Sequence, residues 1–200
     1  MQQFATLFEK IDQIQSTNQK VDHLKAYFAT CSKEDGAWAL FFLSGKKLKR
    51  SISGKVLLQW CSEVASLPLW LAEESYAAVG DTAEAVSLLL PQEKQTKENN
   101  RSLADWVENS VKPLQGLSPD LQKKEILSFW STLTTKEIFL LNKILTGSFR
   151  VGISALLTLK GLSLASGISR ELLSQRLMGN WEPTASFFSS LFSTEEDDKK

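Results

Sequence analysis

Apolar positions recur along this chain at helical spacing. Phe4, Leu7, Phe8, Ile11 and Ile14 form one stripe, and Val21, Leu24, Tyr27 and Phe28 form the next. Steps of three or four residues are what the core-facing side of an amphipathic helix requires. Start and stop residues punctuate the pattern roughly every 10 to 18 residues. Ser32 with Asp35 predicts a capped start for "AWALFFL", which Gly45 ends. Ser53 caps "GKVLLQWCSEVAS", Pro68 opens "LWLAEESYAAV", and Gly80 closes it. Asp81 is a natural N-cap for "TAEAVSLLL", ended by Pro91. Ser102 with Asp105, Ser118 before Pro119, and Thr134 with Glu137 announce three further starts. No hairpin dipeptide lies between alternating runs, so strands are not expected. The pattern predicts an all-α domain of roughly ten to twelve helices.

Two segments break this texture. "QEKQTKENNR", residues 92–101, is polar throughout and reads as a surface linker. "STEEDDKK", residues 193–200, has no packing potential and reads as a charged tail or the start of a linker to something else. The remainder carries an internal echo. "LSGKKLKRSIS" (43–53) resembles "LTGSFRVGIS" (145–154): a Leu, a hydroxyl residue, a Gly, a basic segment, then Ile-Ser opening a helix. The echo continues with "VAS" at 64–66 against "LAS" at 164–166, and with Gly80 against Gly179. One domain over 1–192 is therefore expected, built from related halves at about 33–91 and 134–192 that the polar linker joins.

Composition adds little until charge is divided along the chain. With 200 residues, 42% hydrophobic and 23% charged, the sequence has ordinary globular content and can bury a core. No apolar run is long enough for a span and no leader pattern is present, so a cytoplasmic setting without membrane partners is expected. Cys31 and Cys61 lie far apart in apolar helical sequence and read as reduced, buried thiols. His23 has no partner at ligand spacing, so no metal site is argued. The six tryptophans (Trp38, Trp60, Trp70, Trp106, Trp130 and Trp181) read as core. A net charge of +0 argues against a uniformly basic binder, but it conceals a segregation. From Gly36 to Ser62 lie Lys46, Lys47, Lys49, Arg50 and Lys55 with no acid, and from Ile138 to Arg170 lie Lys143, Arg150, Lys160 and Arg170 with no acid. Basic hinges on an otherwise acidic body fit an extended polyanion.

The hinges have the right local chemistry for that partner. A capped helix start leaves amides unpaired at the positive end of the helix dipole, and glycine lets that backbone approach a phosphate closely. In "TGSFRVGIS", Gly147 is expected to end one helix and Gly152 to open the next. Arg150 then projects between them, and Thr146, Ser148 and Ser154 add hydroxyls. Arginine's planar fork suits phosphate or a narrow minor groove. "AVGDTAE" offers a third start, with Asp81 capping and Thr82 or the amides making contact.

These residues carry a family resemblance. "DGAWALFFLSGKKLKR", "WLAEESYAAVGDTAEAVSLLLP", "LNKILTGSFRVGIS" and "RLMGNWEPTASFFSSL", in that order, resemble the N-terminal DNA-binding domain of ATP-dependent DNA ligases of the bacterial type, from about Phe4 to Leu191. The resemblance implies an all-helical, pseudo-two-fold domain that grips the minor groove of nicked double-stranded DNA. DNA contacts are then implied at Gly45, Lys46, Lys47, Lys49 and Arg50, at Gly80 and Thr82, and at Thr146, Gly147, Ser148, Arg150, Gly152 and Ser154. It also implies a nucleotidyltransferase domain and an OB-fold domain as partners, ATP and Mg²⁺ as cofactors of the whole enzyme with none bound here, and a cytoplasmic, nucleoid-associated setting.

One string departs from this picture. "KEDG" at 33–36 satisfies the Lys-x-Asp-Gly pattern of the lysine that takes AMP from ATP. It lies at a helix start without β context, and it reads as a chance match. Two other readings remain open at the level of sequence: a non-catalytic helical scaffold whose apolar stripes form a partner groove, and a self-contained nucleotidyltransferase using Lys33.

Overall fold

The first turn of a helix leaves amides that the helix cannot satisfy, so helices begin where a side chain can take one. The computed structural model describes residues 1–91, 100–149 and 152–193. Among these it forms helices α1 (Gln2–Gln13), α2 (Thr17–Thr30), α3 (Lys33–Leu43), α4 (Gly54–Val64), α5 (Leu69–Val79) and α6 (Thr82–Leu89). Then follow α7 (Leu103–Trp106), α8 (Pro119–Trp130), α9 (Thr135–Thr146), α10 (Ala155–Ser166), α11 (Arg170–Arg176) and α12 (Ala185–Ser190). No strand occurs among the described residues.

The expected caps form. Ser32 accepts from the Asp35 amide, Ser53 from Val56, Asp81 from Glu84 and Ser102 from Asp105. Thr134 and Glu137 complete a reciprocal capping box, in which the Thr134 hydroxyl accepts from the Glu137 amide and Glu137 Oε2 accepts from the Thr134 amide at 3.0 Å. Since Glu137 is itself buried, Thr134→Ala should destabilise the fold by about 1–2 kcal/mol, read as a lower denaturation midpoint. Ser118 departs from the pattern: its side chain makes no cap bond, and α8 begins on Pro119 alone. The helix announced by Ser102 also differs from a regular one. After α7 it widens into a π-turn (Val107–Val111) and tightens into a 3₁₀ turn (Lys112–Gly116), where Pro113 has no amide to continue the α ladder.

The chain forms two compact units. One takes Met1–Ala5 with Lys47–Phe149, and the other takes Thr6–Lys46 with the described residues of 150–200. In the first, α6 packs on α4 and α9 over buried Leu57, Cys61, Val86 and Leu141. Trp130 Nε1 donates to Asn142 Oδ1 at 3.1 Å inside this core. In the second, α10 packs on α2 and α12 on α3. A Cβ on Gly161 would lie 2.4 Å from Leu24 Cβ, so only glycine lets α10 approach α2 this closely.

The order α3, α4, α5, α6 is matched by α9, α10, α11, α12, each with a glycine-bearing hinge after its first helix. Packing exchanges those first helices. α9 lies on α6 within the first unit, and α3 lies on α12 within the second. Each unit thus combines the first helix of one expected half with the last three of the other.

Burial agrees with the sequence reading at most apolar positions. Trp38, Trp60, Trp106 and Trp130 are buried and Trp181 is partly covered, whereas Trp70 is 63% exposed. Of the residues of α5 only Ala72 is buried, so apolar composition there does not translate into a core-facing stripe. Burial, helped by the Asp35 carboxylate, pushes the Cys31 thiol up to about 11, and burial alone pushes Cys61 up to about 12. Both are free thiols. Residues 92–99 of the expected linker and 194–200 of the expected tail lie outside the described residues.

Candidate nucleic-acid interface

The carbonyls at the end of α9 need donors from outside the helix. The basic hinge supplies them: the amides of Ser51 and Ile52 both reach the Leu145 carbonyl, at 3.1 and 3.4 Å. This lays residues 48–52 against Gly147, whose φ of +65° ends α9 in the left-handed region that favours glycine. Those parts of the two echoing segments that lie in the first unit are thereby joined. In the second unit, Leu43 is the residue that matches Leu145, and its carbonyl is satisfied by the Thr158 hydroxyl at 3.2 Å.

Beside this junction two helix starts converge. Gly54, the first residue of α4, lies against Thr82, the first residue of α6; a Cβ on Gly54 would meet Thr82 Oγ1 at 3.0 Å. The space they frame has a volume of about 350 Å³ and is lined by Arg50, Gly54, Lys55, Tyr76, Gly80, Asp81, Thr82, Ala83, Thr146 and Ser148. Ser53 and Asp81 take the third amide of their helices, so the first-turn amides of Gly54, Lys55, Thr82 and Ala83 have no intrahelical partner. Gly80 has φ +81°, which lets the chain turn from the end of α5 directly into the Asp81 cap.

The cations of this cleft are differently held. Arg50 is exposed, and its Nε donates to the Ile52 carbonyl at 3.3 Å, which anchors the side chain while leaving the fork's outer nitrogens available. Lys55 is exposed on the first turn of α4. Thr146 donates its hydroxyl back to the Asn142 carbonyl at 2.8 Å and so presents lone pairs to the cleft, whereas Ser148 is exposed. Asp81 is the one carboxylate among the lining residues. Its Oδ1 accepts from the Glu84 amide and its Oδ2 is bound by Lys143 Nζ.

Of the residues expected to touch a polyanion, the first unit gathers Arg50, Gly80, Thr82, Thr146 and Ser148 in one cleft, with Gly147 beside it. Lys47 and Lys49 are exposed on the same hinge but do not line the space, and the Lys49 carbonyl accepts from Gln115 at 3.1 Å. The second unit holds the others. Lys46 Nζ lies 4.4 Å from the centre of the Trp181 ring, after Gly45 at φ +82°. Helix α10 begins at Ala155 with Ser154 as its N-cap, three residues later than the expected opening at Gly152, because the Ser154 side chain takes the Leu157 amide. The Gly152 carbonyl instead accepts from Lys20 Nζ at 2.7 Å. Arg150 lies outside the described residues.

Sequence reasoning left Lys55 and Tyr76 off the set of contacts. Lys55 carries a legible signal, being a cation on a Ser-capped first turn in the acid-free window from Gly36 to Ser62. Tyr76 carries none, because its place follows from how α5 meets α6.

The KEDG string opens α3. Lys33 is exposed on the first turn of α3, and Gly36 is buried where a Cβ would run into the Phe188 ring at 2.5 Å. That glycine lets α3 pack on α12.

Among the described residues the chain is all-helical, and its first unit carries a polar, cation-lined cleft between two helix N-termini. A family model described as DNA ligase N terminus matches residues 1–163. The chain belongs to this family of DNA ligase N-terminal domains. The match ends inside α10, before α11 and α12. A search of curated proteins finds no match to the chain. No helix among the described residues is long and apolar enough to cross a membrane.

Proposed function

We propose that this chain is the DNA-gripping domain of an ATP-dependent DNA ligase, holding nicked duplex through phosphate and minor-groove contacts. Strand joining is then carried out by a nucleotidyltransferase domain, with an OB-fold domain completing the clamp. ATP and Mg²⁺ belong to that catalytic part, and the 200 residues here contribute binding and positioning. The observation that carries this reading is the cleft of the first unit. Two helix N-termini, Arg50 and Lys55 face one space of about 350 Å³, an arrangement suited to a phosphate oxygen. The second hinge, with Ser154 capping α10 and Arg150 in the sequence before it, supplies the other jaw.

Contacts of this kind read the backbone and groove shape with little dependence on bases. Binding of a fluorescent nicked duplex, followed by anisotropy, should therefore fall linearly in log–log terms with salt. The slope should approach −0.9 for each phosphate neutralised. Scrambling the sequence should leave affinity nearly unchanged. An affinity that ignores salt, or no binding at low salt, overturns the reading and favours the scaffold alternative. Incubation with ATP and Mg²⁺ should leave Lys33 without an AMP adduct.

A further inference from the structure

A carboxylate is an unexpected lining for a phosphate site. Among the described helices with a side-chain cap, only α6 uses an acid; the others use serine or threonine. Asp81 thus places a negative charge at the same helix start as the amides, Thr82 and Ala83, that would receive an anion. Left alone, it would offset one of the two cations lining the space.

The charge is met from behind. Lys143 projects from α9, with its side chain only 8% exposed, and its ammonium binds Asp81 Oδ2. The Phe139 ring, one turn earlier on the same helix, lies 5.4 Å from that ammonium. Lys143 does not line the cleft. Its neighbour one turn on, Thr146, does. Asp81 has its other oxygen committed to the Glu84 amide at 3.1 Å, so both carboxylate oxygens have partners within the protein.

We infer that Lys143 is a positioning residue that neutralises Asp81, which makes the α4–α6 cleft receptive to a DNA phosphate without itself touching DNA. The inference rests on the cleft being a phosphate site. A neutral cap needs no such partner, which is why the pair can be dissected: Asn caps a helix as Asp does but brings no charge. A buried ion pair can be exchanged for neutral residues of similar volume with little loss of stability, whereas removing one partner strands the other charge.

The test compares four proteins for binding to the fluorescent nicked duplex at two salt concentrations, with thermal denaturation as the folding control. The parent must first show salt-dependent binding; if it does not, the phosphate reading itself fails. Given that, Lys143→Met should bind roughly fivefold more weakly, with a salt slope shallower by about 0.9. Asp81→Asn should bind at least as tightly as the parent. The double variant Asp81→Asn with Lys143→Met should return to within about twofold of the parent, in affinity and in slope. A Lys143→Met protein that binds as the parent does overturns the inference. So does a double variant that stays weak while remaining folded, since a merely structural lysine would not be rescued by removing a charge. Should Lys143→Met alone fail to fold, Asp81→Asn and the double variant still decide, because weakened binding in either contradicts neutralisation.

Discussion

Reversing both cations of the cleft, Arg50→Glu together with Lys55→Glu, should reduce affinity for nicked duplex by roughly a hundredfold or more at low salt. Both side chains are exposed, so the fold should change by no more than about 0.5 kcal/mol. The size of the effect follows from position. In the first unit these two residues face the first-turn amides of α4 and α6, where a phosphate would meet two helix dipoles and two cations together. Four units of charge change at that point turn attraction into repulsion and remove about two phosphate contacts. The salt slope should then fall by about 1.8. Reversal of Lys124, exposed on α8 and absent from the lining, is the control and should alter affinity by less than about threefold. Anisotropy titrations of the parent and the two variants measure all of this. Equal losses in both variants would mean that net charge, not the cleft, governs binding.

Why the sequence announced this cleft in part, and only in part, follows from what each residue depends on. Gly80, Asp81 and Thr82 were legible because a left-handed glycine, a cap and a first-turn residue are determined by neighbours one or two positions away. Gly147 was legible for the same reason. The echo between residues 43–53 and 145–154 draws attention to both hinges, but it does not show that the Ser51 and Ile52 amides reach the Leu145 carbonyl. Nothing local shows that Lys143 will find Asp81, because that pairing needs α9 to lie on α6. Lys46 reads in sequence as one more cation of the basic hinge, and nothing local shows that Trp181, far along the chain, will lie against it. Trp70 was misread for the opposite reason: apolar composition predicts burial only where another element arrives to cover it. The all-helical class was secure throughout, since caps and helical spacing recur along most of the sequence.

Gly161→Ala should destabilise the second unit by about 1–3 kcal/mol, although alanine is the better helix former. The added Cβ would stand 2.4 Å from Leu24 Cβ and 3.5 Å from the Leu24 carbonyl carbon, so α2 as a whole must retreat from α10. Rotamer adjustment offers no escape, because a Cβ moves only with its backbone. That fact yields a sharp comparison. Leu24→Ala removes the tip of a fully buried leucine and should cost about 2–5 kcal/mol through the cavity it leaves. It keeps the Cβ, however, so combining it with Gly161→Ala should add to the loss and not relieve it. A rescue in the double variant would mean that the leucine tip, not the helix backbone, sets the spacing. The consequence extends to the proposed DNA grip. Lys20 lies one turn before Leu24 on the same face of α2, and it holds the Gly152 carbonyl at 2.7 Å. A retreating α2 withdraws that ammonium from the hinge that precedes Ser154. Gly161→Ala should therefore weaken duplex binding at temperatures where the protein is still fully folded, whereas Thr134→Ala, whose cap lies in the first unit and does not line its cleft, should lower stability and leave binding below its transition unchanged. Denaturation midpoints and anisotropy titrations on the same samples separate the two outcomes.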